Sequence, residues 1–277
     1  MLVRIIALLS VLFSTLICGI SGGFQGYAWI WVLPLGFAGV FVLLVLLAFF
    51  VLWFLCSRVD LSVPQDGEDP FYRKVARIFA ETALQLLRVH VHTTGLEQTP
   101  KNGRFLLVCN HLNDMDPVVL LHFFRDSQLA FISKRENTTM FIVGKMMHKL
   151  QCQLINREND REALKTILNC IRILKEDKAS IAVFPEGYTS MDGLLHKFRS
   201  GVFKIAQKAN VPIVVCTVQN TAAIFPNAKH LKPTCVELHL LGVIPPEEVK
   251  SVSTVALAER IHSMMASDLG PEHVAAE

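Results

Sequence analysis

The chain has 277 residues, 52% of them apolar and 18% charged, with a formal net charge of +3. Soluble proteins average about 45–50% apolar and about 25% charged, so this balance excludes a disordered chain, which needs low hydrophobicity and high net charge. It also argues against an ordinary soluble monomer, and the small charge, with no Lys/Arg run interleaved with aromatics, gives no basis for nucleic-acid binding.

Residues 1–57 hold a single charged side chain, Arg4. Two apolar runs fill this segment, Ile5 to Ile20 with 16 residues and Ile30 to Cys56 with 27. At about 1.5 Å per residue the second exceeds a bilayer core of about 30 Å. The first approaches that length once Leu2 and Val3 join it and Arg4 snorkels. A secretory signal fits poorly, because no small-x-small cleavage site precedes the second run. The connection Ser21 to Trp29 is uncharged, whereas Arg4, Arg58, Arg73, Lys74 and Arg77 flank the pair. The expectation for residues 1–57 is therefore a membrane hairpin of two hydrophobic helices with both ends in the cytoplasm.

Residues 58–88 read as a linker and a basic amphipathic helix. Val63 to Pro70 is polar; then Tyr72, Val75, Ala76, Phe79, Ala83, Leu86 and Leu87 recur at helical spacing, with Arg73, Lys74, Arg77 and Arg88 off that stripe. Such a helix either packs on a core with a solvated side or rests on anionic headgroups.

In residues 89–277, β-rich runs alternate with helical patterns: Val89 to Thr93, Arg104 to Cys109, Leu129 to Ile132, Cys152 to Ile155, Ser180 to Phe184, Ile213 to Val218 and Cys235 to Leu241. This alternation predicts an α/β fold, a mostly parallel sheet flanked by helices. The seven cysteines form no Cys-x-x-Cys pair and mostly sit in apolar runs, so they read as reduced core residues of a cytosolic domain.

Three loops after strands carry chemistry-bearing residues, and ligands of open α/β sheets bind at that edge. The first is Asn110-His111-Leu112-Asn113-Asp114-Met115-Asp116-Pro117. A carboxylate partner fixes the imidazole tautomer and steadies the imidazolium formed when histidine takes a proton from an alcohol. Asp before Pro117 is equally the pattern of a helix N-cap. The second is Phe184-Pro185-Glu186-Gly187, where a glycine permits close backbone approach, although alone it reads as a tight turn. The third is Leu154-Ile155-Asn156-Arg157, whose guanidinium suits phosphate, although an isolated surface arginine is the plain alternative.

Taken in chain order, with Leu154-Ile155-Asn156-Arg157 second and Phe184-Pro185-Glu186-Gly187 third, and followed by Val211-Pro212-Ile213-Val214, these blocks resemble the four motifs of the glycerolipid acyltransferase family, typified by bacterial 1-acylglycerol-3-phosphate acyltransferases. The resemblance covers roughly residues 75 to 265. It implies acyl transfer from acyl-CoA or acyl-carrier protein to a lysophospholipid at the cell membrane, giving phosphatidate, with the catalytic domain on the cytoplasmic side. His111 would be the general base and Asp116 its orienting partner in a His-x4-Asp motif. Asn110, Arg157, Glu186 and Gly187 would contact the acceptor, and Pro212 would shape the acyl-donor side.

One departure matters: where the family continues Gly-Thr-Arg-Ser, this chain reads Gly187-Tyr188-Thr189-Ser190, so an arginine expected to meet phosphate is absent. Lys134, Lys197 and Arg199 lie close to motifs and are candidates to replace it. A different lysolipid acceptor, or an inactive lipid-binding protein of the same fold, remain the rival readings. No cofactor is expected, since Gly-x-Gly-x-x-Gly and the Walker loop are missing, and no metal, since His90, His92 and His122 match no ligand spacing.

Overall fold

A computed structural model describes residues 1–156 and 159–276. Ten α-helices and seven strands occur among the described residues. The helices are α1 (Leu2–Ile20), α2 (Trp29–Ser57), α3 (Pro70–Leu86), α4 (Asp116–Phe123), α5 (Phe141–Lys149), α6 (Asp160–Lys175), α7 (Lys204–Ala209), α8 (Ile224–Lys229), α9 (Pro246–Ser251) and α10 (Thr254–Leu269). The strands are β1 (Val89–Thr94), β2 (Leu106–Cys109), β3 (Leu129–Lys134), β4 (Gln153–Ile155), β5 (Ser180–Val183), β6 (Ile213–Gln219) and β7 (Thr234–Ile244).

The strands form one sheet in the order β1-β7-β6-β2-β5-β3-β4. Every neighbouring pair is parallel except β6 with β7. The expected mostly parallel α/β sheet is thus what forms, with an edge pair reversed. Strands buried on both faces read as continuous apolar runs, and β2 shows why: Leu106 and Val108 enter the core under α6, α7 and α10, whereas Leu107 and Cys109 enter the core under α3 and α4. The expected strand ends shift where pairing decides. β2 starts at Leu106 rather than Arg104, whose guanidinium donates instead to the Asp177 carbonyl at 2.7 Å. β7 runs on to Ile244 because β6 pairs with it along its whole length.

α1 and α2 are long and apolar enough to cross a membrane. They pack through a narrow seam in which Ile6, Ser10, Ser14 and Cys18, four residues apart, are the buried positions of α1. Gly36 of α2 lies against Ser14. Small residues at such a seam let two backbones approach closely, the usual basis of helix association in lipid. Leu8, Leu12, Leu43 and Leu46 face outward, each more than 60% exposed, a surface suited to hydrocarbon rather than water.

Asp69 caps α3 by accepting from the Phe71 and Tyr72 amides, with Pro70 at its first turn. The apolar stripe of α3 meets α2: Tyr72 Oη donates to the Leu55 carbonyl at 2.9 Å, and the Phe79 ring sits 6.1 Å from that of Phe49. Its inner side packs on α4. α3 therefore joins the apolar hairpin to the sheet.

The turn after β1 depends on Gly95, which has φ +74° and lies so near β7 that a Cβ there would stand 2.3 Å from the Leu240 carbonyl oxygen. Gly95→Ala should cost at least about 1–3 kcal/mol. Thermal unfolding of the detergent-purified chain should then begin several degrees lower.

Candidate active site

The strands β6, β2 and β5 lie side by side, and their carboxyl ends deliver three loops to one edge of the sheet. His111 follows β2, Glu186 follows β5 and Thr221 follows β6. His111 Nδ1 lies 2.8 Å from Asp116 Oδ2. The same oxygen accepts from the Leu112 amide at 2.7 Å and the Asn113 amide at 2.8 Å. The other oxygen, Oδ1, accepts from the Thr221 hydroxyl. Asp116 is fully buried, so each of these donors answers a charge that water does not reach.

The expected N-cap role of Asp116 is not what forms. Asp116 is already inside the first turn of α4, whose cap residue is Met115, and it accepts no amide from further along the helix. Its side chain turns back onto the loop that holds His111. The helix start still favours a carboxylate there through the positive end of its dipole.

The His111 ring stacks on Phe184, with centroids 4.1 Å apart and planes 17° from parallel. That contact and the Asp116 bond together set the ring's plane and its tautomer, with the proton on Nδ1. Among the described residues no partner engages Nε2, which is left as the open nitrogen of a side chain that is 15% exposed.

Glu186 is almost completely buried, and both its oxygens are engaged inside the protein. Oε1 accepts from the His111 amide at 3.0 Å, and Oε2 from Ser190 Oγ at 2.6 Å and the His196 amide at 3.0 Å. Ser190 in turn donates its amide to the His111 carbonyl at 2.7 Å. Glu186 thus ties the two loops together instead of offering a carboxylate to a ligand.

Asn110 is likewise committed: its side-chain amide donates to the Val218 carbonyl at 2.9 Å and accepts from the Val218 amide at 2.8 Å. Through this pair of hydrogen bonds it latches β2 to β6. Pro212 stands at the start of β6, where its carbonyl accepts from the Leu106 amide. Because β6 and β2 are parallel, that is the edge opposite His111, so Pro212 is not part of this site.

Gly187 has φ +85°, and a Cβ there would lie 2.8 Å from Arg199 Nε. The bare glycine is what lets the Arg199 side chain lie across this loop, while the Arg199 amide donates to the Pro185 carbonyl at 2.9 Å. Arg199 is exposed beside the Glu186 turn, as a replacement for the missing arginine would be. Lys197 is exposed two residues away, and Lys134 is exposed at the end of β3, two strands from β2. Arg157 lies outside the described residues.

Thr221 and the Phe184 ring were not legible as site residues. Thr221 is separated from Asp116 by 105 positions, and only the pairing of β2 with β6 brings them together.

A model of the Acyltransferase family matches residues 90–219. The chain is 32% identical over 177 residues to a 1-acyl-sn-glycerol-3-phosphate acyltransferase of Chlamydomonas reinhardtii, covering 63% of this chain and 51% of that one. It is 29% identical over 214 residues to a probable enzyme of the same name from Mycoplasma pneumoniae, covering 73% and 78% respectively. The crystal structure of PlsC, the 1-acyl-sn-glycerophosphate acyltransferase of Thermotoga maritima, superposes with a TM-score of 0.62 at 24% identity, over 74% of this chain and 81% of that one. Over residues 90–219 the chain is thus similar to this acyltransferase family. It spans about half the length of the Chlamydomonas relative.

Burial raises the Glu186 carboxyl above its ordinary range, outweighing the Ser190, His196 and His111 donors that pull it down. Folding then favours the protonated form. This group's contribution to stability is complete below the ordinary carboxyl range and is lost as pH climbs through the raised value. Melting temperature plotted against pH should contain that downward component, and Glu186→Gln should remove it while imposing a constant penalty for its mismatched amide. An unchanged slope in the variant would contradict the assignment.

Proposed function

We propose that this protein transfers an acyl chain from acyl-CoA or acyl-carrier protein to the free hydroxyl of 1-acylglycerol 3-phosphate, giving phosphatidate, at a membrane that its N-terminal hairpin enters from the cytoplasmic side. The observation that carries this reading is the His111–Asp116 pair: a buried carboxylate on Nδ1, a ring held on Phe184 and an open Nε2. The relatives' names supply the substrate class.

In this chemistry His111 Nε2 takes the proton of the acceptor hydroxyl as that oxygen attacks the thioester carbonyl. A C–O ester bond forms, the C–S bond breaks, and the proton passes from the imidazolium to the departing thiolate. Asp116 stabilises the transient imidazolium and does not itself take the proton. General base catalysis of this kind contributes about a hundred- to ten-thousandfold; holding two substrates together supplies the remainder. Arg199, across the Gly187 turn, is the guanidinium suited to the acceptor's phosphate, with the exposed Lys197 as a further cation of the same loop.

His111→Ala should abolish transfer of labelled acyl groups while the protein stays folded. Asp116→Asn is the finer test, because an amide oxygen still accepts from Nδ1, Leu112 and Asn113 while its NH2 meets Thr221, so geometry survives and charge does not. A fall in kcat of about 10²–10⁴ is expected; full activity would remove imidazolium stabilisation from the mechanism.

Arg199→Gln should raise KM for 1-acylglycerol 3-phosphate about tenfold or more and leave KM for the thioester unchanged. The Thr189 departure makes a side-by-side panel of lysolipids the decisive assay for the acceptor: turnover confined to an uncharged or amine-bearing lysolipid would replace the phosphate reading.

A further inference from the structure

α3 helps to build a second polar site that this chemistry does not use. Between α3, the end of α4 and the turn Arg125–Ser127 lies a cleft of about 350 Å³, within the range of ligand pockets. Lys74, Arg77, His122 and Arg125 line it, facing two carboxylates, Glu81 and Asp126. Glu81 is already engaged by the amino terminus and by Gln85 Nε2, and Asp126 is exposed. Burial pushes the His122 imidazole below its ordinary range, so Lys74, Arg77 and Arg125 carry the positive charge. Arg77 also holds a buried Nε–H with no acceptor among the described residues, an unmet donor that an oxyanion would satisfy.

The position of the cleft narrows the anion's source. α3 is fastened to the last turns of α2 through Tyr72, Val75 and Phe79 and also contacts α1. It therefore crosses the hairpin where the apolar helices give way to Arg58 and the polar linker. In a bilayer that level is the headgroup layer. α4 separates the cleft from the dyad, since Asp116 opens that helix and His122 lies in its last turn, about 9 Å further along at about 1.5 Å per residue.

We propose that this cleft binds the phosphate group of an anionic diacyl phospholipid of the surrounding bilayer, anchoring α3 and α4 at the headgroup layer. The inference rests on the membrane placement proposed above, and on nothing about the acyl acceptor. Calorimetric titration of the detergent-purified full-length protein tests it with dihexanoyl phosphatidylglycerol, dihexanoyl phosphatidylcholine and inorganic phosphate as three separate probes.

The glycerol lipid should bind at least about tenfold tighter than the choline lipid or free phosphate. Arg77→Gln should weaken it about fivefold or more, as should the exposed Arg125→Gln, which keeps the test open if the first variant unfolds. Arg58→Gln, the same charge removed at the membrane boundary outside the cleft, should leave it unchanged. Equal binding of inorganic phosphate would make this a free-anion site. An equal loss in Arg58→Gln would reduce it to diffuse attraction, and indifference to all three variants would end the proposal. His111→Ala should keep lipid binding while losing transfer, and wild-type protein that binds this lipid but transfers no acyl group from a thioester donor to any lysolipid would sink the enzymatic reading alone.

Discussion

A carboxylate fully removed from water persists only when its oxygens are answered by donors, and the site is organised around that requirement at Asp116. Two backbone amides, an imidazole and a threonine hydroxyl converge on it. The amides come with the tight loop after β2, but Thr221 comes from the end of β6, so the charge is satisfied only when those two strands are side by side and in register. Asn110 enforces that register through its pair of hydrogen bonds to Val218. The imidazole inherits the result: its tautomer and plane follow from a carboxylate that has no other place to point.

A second buried carboxylate serves the neighbouring loop in a different way. Glu186 takes its donors from His111, Ser190 and His196, which brings the β2 and β5 loops into one surface and seats Phe184 under the histidine ring. Two acids thus divide the work. Asp116 bonds the imidazole and Glu186 bonds its backbone, and the outward face is left to cations such as Arg199 beside Gly187. Inward acids and outward cations are the arrangement on which the proposed transfer to an anionic lipid draws.

The apolar hairpin gives that surface its setting. The seam of Ser10, Ser14 and Cys18 holds α1 to α2 with small side chains and leaves the large ones outside, an arrangement that makes sense in hydrocarbon. α3, docked on α2 by Tyr72 and Phe79 and on α4 by its inner side, carries the hairpin's position to the helix that begins with Asp116. Under the function proposed above, a lysolipid that stays in the bilayer and a donor that arrives from water would meet at such a junction.

Local chemistry was legible along the chain: two uninterrupted apolar runs, β-rich runs alternating with helical stripes, a histidine and an aspartate five positions apart, and an ordered set of motif blocks. These depend on period, composition and spacing, which a linear chain carries in full. What only the tertiary structure decided was the partner of each polar group. Nothing near Asn110 says that its amide closes on Val218 rather than on a ligand, and nothing near Thr221 points to Asp116. Strand order joins segments about a hundred residues apart, and hydrogen bonds are satisfied by whichever group the sheet brings within about 3 Å, a distance that position along the chain does not encode.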